Sequence, residues 1–197
     1  MAEDSAPLTG TARAAGRRVR GRPRRHAVVL VVAGTLLAAC SSAAAPSTPS
    51  TDSTFTAGVA AQAHGDHALA VADFLAVVKR DPRNKFAWYD LGDIADQAGQ
   101  QVQAAGDYRR SLGIDPNYVP ALFNLAVLET AGAPTAAATL YTQVLRVAPG
   151  DADAHLNLGF VLRSLGQTAA GDRQIATALR LDPSLAGRIP TGVPTGS

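Results

Sequence analysis

The chain has 197 residues, 47% of them hydrophobic, 17% charged and 5% aromatic, so it can build a core but has few rings for stacking on nucleic-acid bases. One Cys and four His exclude an internal disulfide and leave too few ligands for a structural zinc site. The net charge of +2 hides a segregation. Residues 1–26 hold seven Arg against Glu3 and Asp4, net +5, whereas residues 27–197 carry eleven basic and fourteen acidic side chains, net −3. Without its front segment the chain has no basic character suited to nucleic acid.

The Arg-rich stretch ends at Arg24-Arg25-His26 and runs into the uncharged residues 27–39, AVVLVVAGTLLAA. Thirteen helical residues rise only about 20 Å, short of the roughly 30 Å hydrocarbon layer, so this segment is the apolar part of an export signal spanning residues 1–39. Leu37-Ala38-Ala39-Cys40 then resembles the lipobox of bacterial lipoproteins. That resemblance implies a lipidated Cys40 as the mature N-terminus and attachment to the outer face of the cell membrane. The competing reading is an uncleaved anchor, since the uncharged run continues through Ala45. Both place the rest of the chain outside the cytoplasm, because the Arg cluster stays inside. Residues 40–54 are Ser, Thr, Ala and Pro apart from Cys40 and Asp52, and read as a solvated tether.

Beyond it, Asp81-Pro82, Asp115-Pro116, Ala148-Pro149 and Asp182-Pro183 recur with 34, 33 and 34 residues between prolines, the mark of stacked supersecondary units. Trp88, Leu91, Gly92, Ala104, Tyr108 and Pro116 fall on W-x-x-L-G, A-x-x-x-F and P, and the chain thereby resembles the tetratricopeptide repeat family. Leu122, Leu125, Ala126, Ala137, Tyr141 and Pro149 repeat the pattern with one residue missing, and His155, Leu158, Gly159, Gly171, Ile175 and Pro183 repeat it again. Gly58, Ala70 and Phe74 mark a degenerate first unit with Thr54 in the Trp slot. The expected fold is an all-α solenoid of four helix-turn-helix units, about 52–84, 85–118, 119–151 and 152–184, followed by a Pro/Gly tail at 185–197. Gly65, Gly99, Gly132 and Gly166 are expected at the turns inside each unit, and the small residues Gly58, Gly92, Ala126 and Gly159 where neighbouring helices approach closely.

Catalytic constellations are not legible, and the chain is read as a non-enzyme without cofactor. His64 and His67 lack a third ligand nearby, His155 occupies a Trp slot as a packing residue, and Asp90, Asp93 and Asp96 read as a solvated helical face, with cation binding as the alternative. What the family resemblance implies is a concave groove lined by the first helix of each unit. The position after the Trp slot holds Phe55, Tyr89, Phe123 and Leu156; the fourth beyond it holds Val59, Asp93, Val127 and Phe160. Asp90, Asn124 and Asn157 stand beside them, the two amides placed to bond a partner's backbone. One subset of the family clamps a terminal carboxylate with basic residues here; Tyr89, Asp93, Asn124, Asp153 and Asn157 supply none, so that activity is not carried over. The expected partner is another envelope protein or peptide, with no nucleic acid. The alternative is a structural lipoprotein that self-associates weakly through the apolar side of the last repeat at Ile175, Leu179 and Leu181.

Overall fold

The computed structural model describes residues 49–190. The Arg-rich front, the apolar run, Cys40, most of the tether and residues 191–197 lie outside the described residues. Eight helices follow one another: α1 (Thr51–Ala63), α2 (His67–Arg80), α3 (Lys85–Gln97), α4 (Gln101–Ile114), α5 (Val119–Gly132), α6 (Pro134–Val147), α7 (Ala152–Ser164) and α8 (Thr168–Leu181). A 3₁₀ turn at Pro183–Arg188 closes the array. Each helix packs chiefly on the ones before and after it, so the described residues form a stack of four helix pairs.

Local chemistry starts and stops these helices. Ser50, Asp66, Asn84 and Asp151 accept a hydrogen bond from a first-turn N–H of α1, α2, α3 and α7, each such cap contributing about 1 kcal/mol. Pro120 and Pro134 sit in the first turns of α5 and α6, where a missing N–H costs nothing. Gly65, Gly99 and Gly166 turn the chain at φ of 77°, 72° and 78°, a conformation that side chains resist. Gly132 does not turn the chain. It is the last residue of α5, and Ala133 alone joins α5 to α6, so the residue missing from the third unit was taken from its turn. Thr51, assigned from the sequence to the tether, and Asp52–Thr54, assigned to both tether and array, are helical. Thr54 is buried, its hydroxyl donating to the Ser50 carbonyl and accepting from Arg80, which also holds the Pro49 carbonyl at 2.9 Å.

The core is a succession of small-against-large contacts. A Cβ added at Gly58 would meet the Phe74 ring at 2.8 Å, and at Gly92 the Tyr108 ring at 2.7 Å. Phe74, Tyr108, Tyr141 and Ile175 are all buried, one per second helix. Each large apolar side chain so buried contributes on the order of 2 kcal/mol. At the end of the array Leu185 is buried and Ile189 packs beside it against Leu156, Ile175, Ala178 and Leu179. Arg188 pairs with Asp153 of α7 across the same junction. The apolar end expected to remain open for self-association is therefore sealed by the tail at Ile175 and half-covered at Leu179; Leu181 remains exposed.

Candidate functional site

The first helices stand side by side, and ring contacts trace the surface they share. Phe55 of α1 meets Phe86 of α3 at 6.4 Å, Phe86 meets Tyr118 edge-on at 5.6 Å, and Tyr118 meets Tyr89 edge-on at 5.5 Å. Edge-to-face pairs of this kind add about 1 kcal/mol each beyond the area they bury. Lys85 lies 5.0 Å from the centroids of both Phe86 and Tyr118 and is ion-paired with Asp115. Phe86 and Tyr118 escaped the sequence reading because they precede the W-x-x-L-G register. An aromatic residue two positions before Trp88 and another four before Leu122 was the available signal.

Further along, Val127, Thr130, Tyr141, Asn157 and Phe160 line a cavity of about 180 Å³. Val127, Asn157 and Phe160 were expected at the groove; Thr130 and Tyr141 were not. Phe123 is half-buried and edges onto Tyr141 at 5.6 Å, so it supports the wall as much as it faces a ligand. Leu156 is a correction: it is buried against Ile175, Ala178 and Leu185, because the 3₁₀ turn occupies the place where a next unit would begin. Asn124 is another. Its amide nitrogen donates to the hydroxyls of Tyr89 at 3.3 Å and Tyr108 at 3.2 Å, which spends both N–H bonds on the wall and leaves only the carbonyl oxygen for a partner. Val59, Phe86 and Val127 are 43%, 47% and 46% exposed, the large apolar side chains that the first helices leave uncovered.

The carboxylates are arranged unevenly. Asp93 accepts through one oxygen from Gln62 at 2.9 Å and Gln97 at 2.8 Å. Asp90 is half-buried and accepts no hydrogen bond from a described residue; burial first, then the charge of Asp93, pushes it up to about 6. Burial also raises Tyr89, and lifts Tyr118 to about 12, with the Asp90 charge adding to both. A carboxyl whose folded value lies above its unfolded one favours folding while protonated, and that advantage fades as pH rises from about 4 through about 6. Asp90→Asn is therefore expected to raise stability at pH 7 by about 1 kcal/mol, allowing for solvent screening, with no gain at pH 4. Urea midpoints of both proteins at the two pH values check this; an equal difference at both would rule out the titration.

The remaining candidates are placed plainly. His64 and His67 are exposed. His155 sits as Trp88 does, its Nε2 reaching the Pro149 carbonyl at 3.1 Å as the Trp88 indole reaches that of Pro82 at 3.0 Å. Among the described residues no three His, Cys, Asp or Glu stand together to hold a metal ion, and no helix is long and apolar enough to cross a membrane.

A family model described as tetratricopeptide repeat matches residues 55–119 and 127–186. A probable UDP-N-acetylglucosamine–peptide N-acetylglucosaminyltransferase SPINDLY of Solanum lycopersicum is 34% identical over 73 residues, 37% of this chain. The match spans 8% of that protein's length, and its transferase activity is a property of that protein. Among solved structures, MamA superposes with a TM-score of 0.63 at 18% identity, covering 70% of this chain and 81% of that one. YrrB, titled a TPR protein with an unusual peptide-binding site, superposes at 0.61 and 18% identity over 71% of this chain and 75% of its own. At such identities the superpositions establish the fold alone.

Proposed function

The chain belongs to the tetratricopeptide repeat family, and we propose that it acts as an exported, lipid-anchored scaffold whose groove holds a segment of another cell-envelope protein. The observation that carries the binding half is the uncovered apolar surface of the first helices, Val59, Phe86 and Val127, continuous with ring contacts and next to a lined cavity. A face that costs hydration in the free protein is the face that gains most from a partner. The export half rests on the Arg-rich front, the short apolar run and Leu37-Ala38-Ala39-Cys40. Intact mass of the mature protein should show a diacylglyceryl group on Cys40 as first residue; an unmodified Cys40 or cleavage elsewhere removes the anchor.

The groove is tested at Val127 rather than Phe123, since Phe123 is part of the wall. Val127→Glu places a charge on an exposed apolar position without opening a cavity. A partner cross-linked and purified from the envelope should bind this variant at least about tenfold more weakly, as expected at a hot spot. Val102, 91% exposed on α4, is the control, and Val102→Glu should bind normally. The opposite ranking moves the site to the other face.

A further inference from the structure

We propose that the front half of the groove, from α1 to the start of α5, selects a segment bearing a lysine or arginine, holding the cation at Asp90 and Asp93 while apolar neighbours lie on Phe55, Phe86 and Tyr118. This rests on the groove being the binding surface and names the chemistry of its occupant. The groove is apolar, so what decides the occupant is its charge. The four first helices carry Asp52, Asp90, Asp93, Asp96, Glu129 and Asp153 against two strong bases, Lys85 and Arg163. Both bases are already neutralised from outside these helices, Lys85 by Asp115 and Arg163 by Asp172. Glu129 and Asp153 are likewise paired, with Arg109 and Arg188. Asp52, Asp90, Asp93 and Asp96 are left with no cation in salt-bridge contact among the described residues, and three of these four stand on α3.

Geometry narrows the site to Asp90 and Asp93. The two donors on Asp93, Gln62 and Gln97, are neutral amides; they orient the carboxylate and leave its charge whole. Both act on the same oxygen, and the other accepts from no described residue; Asp96 and His67 also lie near enough to bear on the charge of Asp93. The groups that bear on Asp90 are Asp93 on its own helix, Tyr89, and Tyr118 from the start of α5. Tyrosine rings attract guanidinium and ammonium groups, as Lys85 against Tyr118 already shows, so Tyr89 and the carboxylates favour the same ligand. An acidic segment would meet two carboxylates and be repelled by them, and a wholly apolar one would bury them without a counter-ion at a desolvation cost.

A display library of random dodecapeptides, selected against the full chain, tests this. Selected peptides should share a Lys or Arg beside apolar residues, and replacing that Arg by uncharged citrulline should weaken binding about tenfold or more. Asp90→Asn with Asp93→Asn should weaken the Arg peptide to the same degree and make it indifferent to citrulline. Far-ultraviolet circular dichroism and urea midpoints of the double variant, in which Asp93→Asn keeps an oxygen to accept from Gln62 and Gln97, separate lost binding from unfolding. Binders lacking basic residues but lost with Val127→Glu or Phe86→Ala overturn this inference and leave the groove reading standing. Binders indifferent to both of those variants, or no binders, overturn the two together.

Discussion

Replacing Gly171 by alanine is expected to destabilise the last helix pair by about 3 kcal/mol, the upper range for forcing atoms into a packed interior. The methyl carbon would lie 2.6 Å from the carbonyl oxygen of Gly159 and 2.6 Å from Cγ of Arg163. The reciprocal change is no easier, since a Cβ at Gly159 meets Ile175 Cγ1 at 2.6 Å and the Gly171 carbonyl at 2.9 Å. At this crossing α7 and α8 touch backbone to backbone, and a backbone carbonyl cannot rotate aside as a ring can. Repeat arrays are stabilised unit by unit, so the loss should stay local. Amide exchange should accelerate across residues 152–189 while residues 85–132 keep their protection. Gly106 is the control: it lies inside α4 with open space around it, and Gly106→Ala should stabilise by about 0.5–1 kcal/mol through helix propensity. Equal effects at the two glycines would show that packing is not the cause.

Truncating Tyr108 to alanine is expected to cost about 3–5 kcal/mol and to disable the groove from behind. The ring is fully buried, fills the slot over Gly92, lies 5.8 Å from the Tyr89 ring and accepts from Asn124. Its removal leaves a cavity between the second and third units and frees the two side chains that shape the groove wall. Tyr108→Phe removes only the hydrogen bond and should cost about 1 kcal/mol. Urea unfolding separates the two variants, and a near-ultraviolet circular dichroism change reports the loosened rings. A Tyr108→Ala protein within 1 kcal/mol of the parent would mean that the units do not depend on this contact.

Much of the fold was legible because its contacts are short in sequence and repeated. Trp88, Leu91 and Gly92 recur in kind at Leu122, Leu125 and Ala126 and again at His155, Leu158 and Gly159, and each copy meets its partner, Tyr108, Tyr141 or Ile175, sixteen or fifteen residues later. Such contacts are set within one helix pair, and four phased copies reveal them. The groove was half legible. Of the residues expected there, Val127, Asn157 and Phe160 line the cavity and Val59 is exposed, whereas Phe86 and Tyr118 enter through ring contacts from the helix starts, which the repeat pattern does not describe.

The sequence by itself determined the helix pairs, their order, the small residues at the close crossings and the acidity of the first helices, since each follows from spacing or residue type. Only the tertiary structure decided which groove positions are free. Leu156 occupies the same register as Phe55, Tyr89 and Phe123, yet it is buried because Leu185 folds back over it. Asn124 has the residue type of a partner-binding amide, yet two tyrosine hydroxyls from other helices take its donors. Asp90 and Asp93 are three residues apart on one helix, yet Asp93 alone receives the amides of Gln62 and Gln97. For Leu156, for Asn124 and for the Gln62 bond to Asp93, the outcome depends on what a neighbouring segment presents, a contact made once and carrying no period to read; only Gln97 reaches Asp93 from the same helix.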